Sequence, residues 1–216
     1  MALAFAVACS VSPQPTPPAL DENTVVGIAD EGLVEGVFDV EEDRASDFRV
    51  YLFNLDTLGP PETATLADDG SFSVPFVGVD GDLVRLHLFD GAVLTQAFDA
   101  RFEDGALMRE PPMLPCFRIT PPQELFFDVP DGDVGVVELM ATNECDDPVT
   151  VTDLEFSDLT TNFDLVFGED DVLDPGDTRR LLVTWTPGDP GDVVQVLVVT
   201  LDGGPFRAVT VAGRAF

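Results

Sequence analysis

Residues 182–187 read LVTWTP, and the fold of the whole chain is best approached from this stretch. Its Leu and Thr residues at even positions alternate with Val183, Trp185 and Pro187 at odd positions. A period of two predicts a β-strand, because successive side chains of a strand point to opposite faces. A single aromatic residue in such a strand normally packs inward, so we predict that Trp185 is a core residue and not a ligand platform.

On either side of this strand lies a series of short apolar segments and turns. Residues 173–177 read LDPGD, in which Pro175-Gly176 is a turn dipeptide between two apolar strands. The full series runs RITP (118–121), ELFFDV (124–129), a strand at 136–142 followed by Asn143, DPVTV (147–151), NFDL (162–165), LDPGD, LVTWTP, Gly191, the apolar run 193–201 and VTVAGRA (209–215).

The order of these landmarks resembles the immunoglobulin-like domains of the abnormal-spindle and hydin type, known in bacterial surface proteins as choice-of-anchor D domains. The resemblance implies an immunoglobulin-like β-sandwich of about 100 residues, which is the usual size of that fold. One position departs from the pattern, because Phe127-Asp128 stands where the family often has Phe-Gly.

The first half of the chain also alternates with a period of two. Residues 48–53 place Phe48, Val50 and Leu52 on one face of a predicted strand, and residues 72–76 repeat the pattern. Asp69-Gly70 and Asp90-Gly91 are hairpin-turn dipeptides. Residues 67–74 and 81–86 resemble the carboxypeptidase-regulatory or transthyretin-like sandwiches of bacterial surface proteins, which implies a second sandwich.

Residues 110–115 read EPPMLP, a proline-rich joint that disfavours helix and sheet alike. We therefore predict an all-β chain of two consecutive β-sandwich modules, residues 24–105 and residues 112–216, with the second immunoglobulin-like. A length of 216 residues suits two modules of this size.

The chain starts MALAFAVAC, an apolar run that ends in Cys9. Residues 6–9 resemble a bacterial lipobox, which implies that 1–9 is a lipoprotein signal segment and that Cys9 carries the lipid anchor. The run is short and no Lys or Arg precedes it, unlike an ordinary signal. The alternative is an ordinary N-terminus with a chance cysteine. Residues 10–23 are rich in proline and form a predicted extended linker.

The chain carries 41 acidic and 10 basic residues, a net charge of −31, and every basic residue is arginine. Nucleic acids and anionic lipid headgroups are bound by Lys and Arg, so this balance excludes nucleic acid as a partner. Solvation of the surface is the simplest interpretation of the charge, with weak binding of divalent cations as the alternative.

With Cys9 lipidated, Cys116 and Cys145 remain as a pair, and a disulfide between them is expected in an exported protein. Two free thiols in a reducing cytoplasm are the alternative. His87 is the sole histidine and lies within a predicted strand, so we interpret it as structural. No catalytic triad or zinc site is expected around it.

The acidic turns are the remaining candidates for a ligand-binding site. Asp128, Asp131 and Asp133 crowd one loop and could offer oxygen ligands to calcium, although Asp-Gly is also the usual hairpin turn. Further acidic turns lie at 68–69, 80–82 and 169–174. No cofactor other than this possible calcium is expected.

These observations predict a non-catalytic, lipid-anchored protein of the bacterial cell envelope, exported to the outer membrane or cell surface. Its role would be structural or one of interaction, with an envelope protein or a surface glycan as partner. The alternative is a calcium-dependent adhesion or carbohydrate-binding module, which requires a positioned ligand site.

Overall fold

A computed structural model describes residues 27–29, 32–91, 93–104, 106–109, 114–121, 124–166, 172–202 and 206–216. Within these ranges the chain contains strands and two short 3₁₀ helices, η1 (Glu42–Asp47) and η2 (Leu159–Thr161), and no α-helix. The fold is therefore all-β, as the alternation of apolar residues predicts. Among the described residues, no helix is long and apolar enough to span a membrane.

The first module is one eight-stranded sheet in the order β4-β3-β6-β7-β8-β1-β2-β5. The strands are β1 (Gly27–Ala29), β2 (Leu33–Val37), β3 (Phe48–Asn54), β4 (Glu62–Thr65), β5 (Ser71–Pro75), β6 (Leu83–Asp90), β7 (Val93–Glu103) and β8 (Ala106–Arg109). The sheet curls until its two edge strands, β4 and β5, contact each other. Its halves form a sandwich around a core that includes Val50, Phe72 and Leu86.

The joint between the modules is shorter than the sequence predicts. Strand β8 pairs with β7 and β1, so the first sheet continues to Arg109, four residues beyond the expected end at 105. The first strand of the second module begins at Phe117. Residues 110–113 of the proline-rich joint lie outside the described residues.

The second module is an immunoglobulin-like sandwich of two sheets. A five-stranded sheet has the order β10-β17-β16-β12-β14, and a four-stranded sheet has the order β13-β15-β11-β9. The strands are β9 (Phe117–Thr120), β10 (Glu124–Val129), β11 (Gly135–Asn143), β12 (Val149–Phe156), β13 (Phe163–Val166), β14 (Val172–Leu173), β15 (Thr178–Trp185), β16 (Gly191–Leu201) and β17 (Phe206–Ala215). Only β10 and β17 pair in parallel among the described strands.

Trp185 lies in the core between these two sheets, which confirms the prediction from the LVTWTP stretch. Its ring stacks on Phe163 with centroids 5.2 Å apart, and its indole nitrogen donates a hydrogen bond to the Thr161 carbonyl over 3.0 Å. Gly213 lies against the ring so closely that a Cβ atom there would come within 2.6 Å of it. The glycine is therefore required by the tryptophan opposite.

Candidate functional site

The two modules pack against each other through the outer faces of their sheets. In β6 the even-numbered residues fill the core of the first module, while Leu83 joins a separate buried cluster. In β16 the odd-numbered residues fill the second core, while Val196 joins that same cluster. We call this cluster the inter-module cluster; its buried members are Phe53, Leu55, Leu83, Val196, Val198 and Ala208.

A buried polar contact lies within this interface. The His87 side chain, from β6, is fully buried, and its Nε2 lies 2.9 Å from the hydroxyl of Thr210, from β17. The imidazole ring also packs 5.0 Å from Phe53 and 6.0 Å from Phe89, measured between ring centroids. Burial lowers the pKa of His87 well below its ordinary value, and the nearby Arg85 guanidinium lowers it further. The ring is therefore neutral in the folded protein.

Arg85 forms a second polar contact across the interface. Its Nε and Nη2 atoms donate to the two carboxylate oxygens of Asp99 over 2.6 Å and 2.8 Å, a bidentate ion pair within the first module. Its remaining nitrogen, Nη1, donates over 2.5 Å to the carbonyl of Ala208 in the second module. The guanidinium thus finds hydrogen-bond acceptors in both modules. Because its planar group donates in fixed directions, these bonds fix the relative orientation of the modules.

A hydroxyl beside an imidazole can in principle act as an activated nucleophile. Thr210 and His87 are both fully buried, so a substrate could not reach them without separating the modules. In the described part of the chain, the second ring nitrogen, Nδ1, has no hydrogen-bond partner, so no third group orients the imidazole. The contact between His87 and Thr210 therefore joins the two modules within a buried interface.

Glu124 is the other titratable group in an unusual environment. It begins β10 directly opposite Thr210 of β17, with its neighbour Leu125 pointing into the core. Partial burial raises the pKa of Glu124 to about 7. Its Oε1 atom has no hydrogen-bond partner among the described residues. The carboxyl group is therefore half protonated near neutral pH and destabilises the fold when ionised.

The predicted pairing of Cys116 with Cys145 is confirmed. The two sulfur atoms lie 2.04 Å apart, and the Cα atoms lie 4.9 Å apart across a separation of 29 residues. Beside it, the Glu144 amide donates to the Cys116 carbonyl, so backbone and disulfide together fasten the start of β9 to the turn after β11. A disulfide of this kind is typical of proteins that fold in an oxidising compartment.

The three residues proposed as calcium ligands, Asp128, Asp131 and Asp133, lie at the end of β10 and in the turn that follows it. The amides of Asp131 and Asp133 bond to the carbonyls of Phe216 and Pro130, and Asp128 is exposed on β10. In the described ranges, no three acidic, His or Cys side chains are grouped so that they could hold a metal ion. The structure therefore gives no support to calcium at Asp128, Asp131 and Asp133, which stays a prediction.

Two predicted sites fall outside the described residues. Cys9 and the rest of the signal-like segment precede the first described residue, Gly27, and the acidic run at 169–171 lies in a gap between β13 and β14. Asp82, from another acidic turn, is described and nearly buried. Its carboxylate accepts hydrogen bonds from the Asn54 side chain over 2.8 Å and from the Val79 amide over 2.9 Å, so it stabilises a loop.

A cleft beside the interface was not predicted from the sequence. It lies between β12 and β13 on one side of the second sandwich and has a volume of about 580 Å³. Leu154, Phe163 and Leu165 line it from the second module, and Leu58 lines it from the first. No signal in the sequence marks this site, because its residues come from three separate segments, two in the second module and one in the first, which only the tertiary structure brings together.

No model of a protein family matches this chain, and no curated protein matches it. The fold is similar to that of several solved structures. One is a protein of unknown function from Porphyromonas gingivalis, at 12% sequence identity and a TM-score of 0.39, covering 88% of this chain and 96% of that one.

Two further similar structures resemble about half of the chain each. The ASH/PapD-like domain 7 of human CEP192 is 17% identical with a TM-score of 0.36, covering 50% of this chain and 90% of its own. WR4, a member of the MSP family from C. elegans, is 14% identical with a TM-score of 0.33, covering 47% and 98%. Because these identities and TM-scores are low, the fold is assigned from the strands of this chain itself. No activity of these proteins is assigned to this chain.

Proposed function

We propose that this chain is a non-catalytic interaction protein of the bacterial cell envelope, held at a membrane by a lipid on Cys9. The observation that carries the proposal is a joined pair of sandwiches, the second closed by a disulfide, that follows a signal-like segment and a proline-rich linker. A rigid body on an extended tether suits a protein that presents a surface at some distance from a membrane.

The chemistry of the described residues supports a non-catalytic role. Active sites usually gather titratable groups with shifted pKa values in an accessible pocket. Here His87 is inaccessible at the interface, and it is burial that raises the pKa of Glu124. Neither residue lines the cleft between β12 and β13.

The anchor can be tested by expressing the full chain in a bacterial host and separating detergent-phase from aqueous-phase proteins. We expect the unchanged protein in the detergent phase and the Cys9→Ser variant in the aqueous phase, because acylation requires the thiol. Ser10→Ala is the matched control and should remain in the detergent phase. An unchanged protein found wholly in the aqueous phase would refute the anchor.

Export can be tested independently through the other two cysteines. Thiol labelling of the denatured protein without reductant should leave Cys116 and Cys145 unmodified, because an oxidising compartment preserves their disulfide. Reductant added before labelling should expose both thiols. Labelling of both cysteines in protein taken directly from the host would place the chain in a reducing compartment and contradict export.

A further inference from the structure

The cleft between β12 and β13 combines an apolar lining with an acidic rim. Leu154, Phe163 and Leu165 are partly buried and pack against the core of the second module. Asp153, Glu155 and Asp164 also line the cleft and are exposed, and no arginine is among the described residues that line it. Its volume of about 580 Å³ lies within the range of known ligand pockets.

The first module completes this cleft. Leu58 lines it while also packing against the inter-module cluster. The Leu58 backbone has a φ of 45°, in the left-handed region that is unfavourable for a residue with a Cβ atom. Such a conformation persists when the surrounding structure imposes it, so packing between the modules holds Leu58 in place. Leu58 is thus the contribution of the first module to a cleft that residues of the second module otherwise line.

Among the described residues, each strand that borders the cleft has an edge that is wholly or partly unpaired. Strand β12 pairs with β16 on one side, and on the other side β14 covers only Val149 and Thr150. Strand β13 pairs with β15 alone among the described strands. Unpaired strand edges expose amides and carbonyls that can hydrogen-bond to an added strand.

On each unpaired edge, a carboxylate side chain accepts a hydrogen bond from a backbone amide. The amide of Leu154 donates to the Asp153 side chain over 2.8 Å, and the amide of Leu165 donates to the Asp164 side chain over 2.8 Å. These contacts satisfy the amides and place negative charge along both edges. A second copy of this chain, with a net charge of −31, would be repelled from such a rim, whereas a cationic segment would be attracted.

We propose that this cleft binds an extended, cationic segment of a partner protein, with basic and apolar side chains in alternation. The apolar side chains would contact Leu154, Phe163 and Leu165, and the basic side chains would pair with Asp153, Glu155 and Asp164. Backbone groups of the segment would hydrogen-bond along the edge of β12 or β13, at groups other than the Leu154 and Leu165 amides. This inference goes beyond the anchoring proposed above and does not depend on Cys9.

A sugar ligand fits the cleft less well. Glycan sites commonly stack a sugar on an exposed aromatic face, but the ring of Phe163 already stacks on Trp185 with only 9° between the ring planes. The acidic rim also matches a basic peptide more directly than a neutral sugar. We therefore assign the cleft to a protein partner.

The test is calorimetric titration of the full chain at physiological salt with a short peptide in which lysine and valine alternate. We expect saturable binding that the triple variant Asp153→Asn/Glu155→Gln/Asp164→Asn weakens by about tenfold or more, because close charge pairs dominate such contacts. The asparagines keep the oxygen that accepts from the Leu154 and Leu165 amides, so the strand edges should be unchanged.

The matched control is Asp128→Asn/Asp131→Asn/Asp133→Asn, which removes the same charge outside the cleft. It should weaken binding less than about twofold, since screening at physiological salt limits the reach of distant charges. A peptide in which lysine and serine alternate should bind at least about tenfold more weakly than the lysine–valine peptide, because it buries no apolar surface.

Three results would overturn the proposal: no binding of the lysine–valine peptide by the unchanged chain, equal weakening by both triple variants, or equal affinity for the valine and serine peptides. Amide spectra recorded during the titration locate the contact, and shifts of Leu154 and Leu165 are the expected signature. Binding of neutral oligosaccharides at these same amides, without binding of the peptide, would assign the cleft to glycans instead.

Discussion

The second sandwich has two outer faces, of which one is buried by the first module and the other is exposed. On the five-stranded sheet, Val196, Val198 and Ala208 face outward and are buried by the first module. On the four-stranded sheet, Val136 faces outward and is 59% exposed, and the Glu138 carboxylate forms an ion pair with Arg180. Alternation with a period of two creates both faces, but only contact with another layer makes one of them a core.

Burial of one outer face explains why an all-β chain can carry apolar residues on both sides of a strand. In β3, Val50 points into the core of the first module while Phe53 is buried between the modules. A strand buried on both faces reads as a near-continuous apolar run. The apolar runs in β6 and β16 therefore reflect the joining of the modules as well as the filling of each core.

The largest difference in unfolding free energy should come from the same change, valine to aspartate, made once on each outer face of the second sandwich. Val196→Asp buries an unpaired charge in the inter-module cluster and should lower the free energy of unfolding by about 4 kcal/mol. Val136→Asp, at an exposed position in the same module, should change it by less than about 0.5 kcal/mol. Urea denaturation measures both. Equal losses would mean that the modules do not pack as described.

The next largest difference in unfolding free energy should come from two ion pairs, one near the interface and one on the exposed face. Asp99→Asn removes the charged partner of Arg85, whose side chain is only 10% exposed, and should cost about 2 kcal/mol of unfolding free energy. Glu138→Gln breaks the exposed pair with Arg180 and should cost less than about 0.5 kcal/mol. The same denaturation assay applies, and a larger loss for Glu138→Gln would reverse the comparison.

Acidification should weaken the buried interface through His87. Its pKa in the folded protein lies below the ordinary 6.5, so the unfolded chain takes up a proton first as the pH falls. The stability that depends on a neutral ring is present above pH 6.5 and is lost below it, by up to about 1.4 kcal/mol per pH unit. We expect this dependence to be reduced in His87→Gln, since the many carboxylates titrate alike in both proteins.

Parallel denaturation curves at several pH values measure the effect as a difference between the unchanged chain and the variant. Arg85 is the charged residue that acts on the ring, and its own partner is Asp99. If the two proteins lose stability in parallel below pH 6.5, protonation of His87 is not linked to unfolding.

The smallest effect should come from Glu124, with the opposite dependence on pH. Its pKa is raised from 4.5 to about 7, so the folded protein keeps the proton longer than the unfolded chain and stability falls between these two values as the pH rises. Glu124→Gln should therefore raise the unfolding free energy by about 1 kcal/mol at pH 8, after allowance for solvent screening, and leave it unchanged at pH 4. A destabilised variant at pH 8 would contradict this.

Much of the fold could be predicted from the sequence because strand alternation and turn dipeptides act over a few residues. The strands around Phe48 and Trp185 and the Asp90-Gly91 turn all follow from such local patterns. The disulfide between Cys116 and Cys145 could be predicted because few cysteines are available to pair. Strand β8 was missed because it forms only by pairing with β7 and β1, which lie in other parts of the first module.

Local patterns in the sequence are enough to predict an all-β chain, two modules, the burial of Trp185 and an acidic surface. The buried face that the modules share, the contact of His87 with Thr210 across 123 residues of chain, and the position of Leu58 at a cleft of the other module depend on the three-dimensional packing. This division follows from the distance along the chain over which each effect acts. Alternation fixes which side chains share a face, whereas the partner of that face depends on the shape and chemistry of a surface formed elsewhere in the chain.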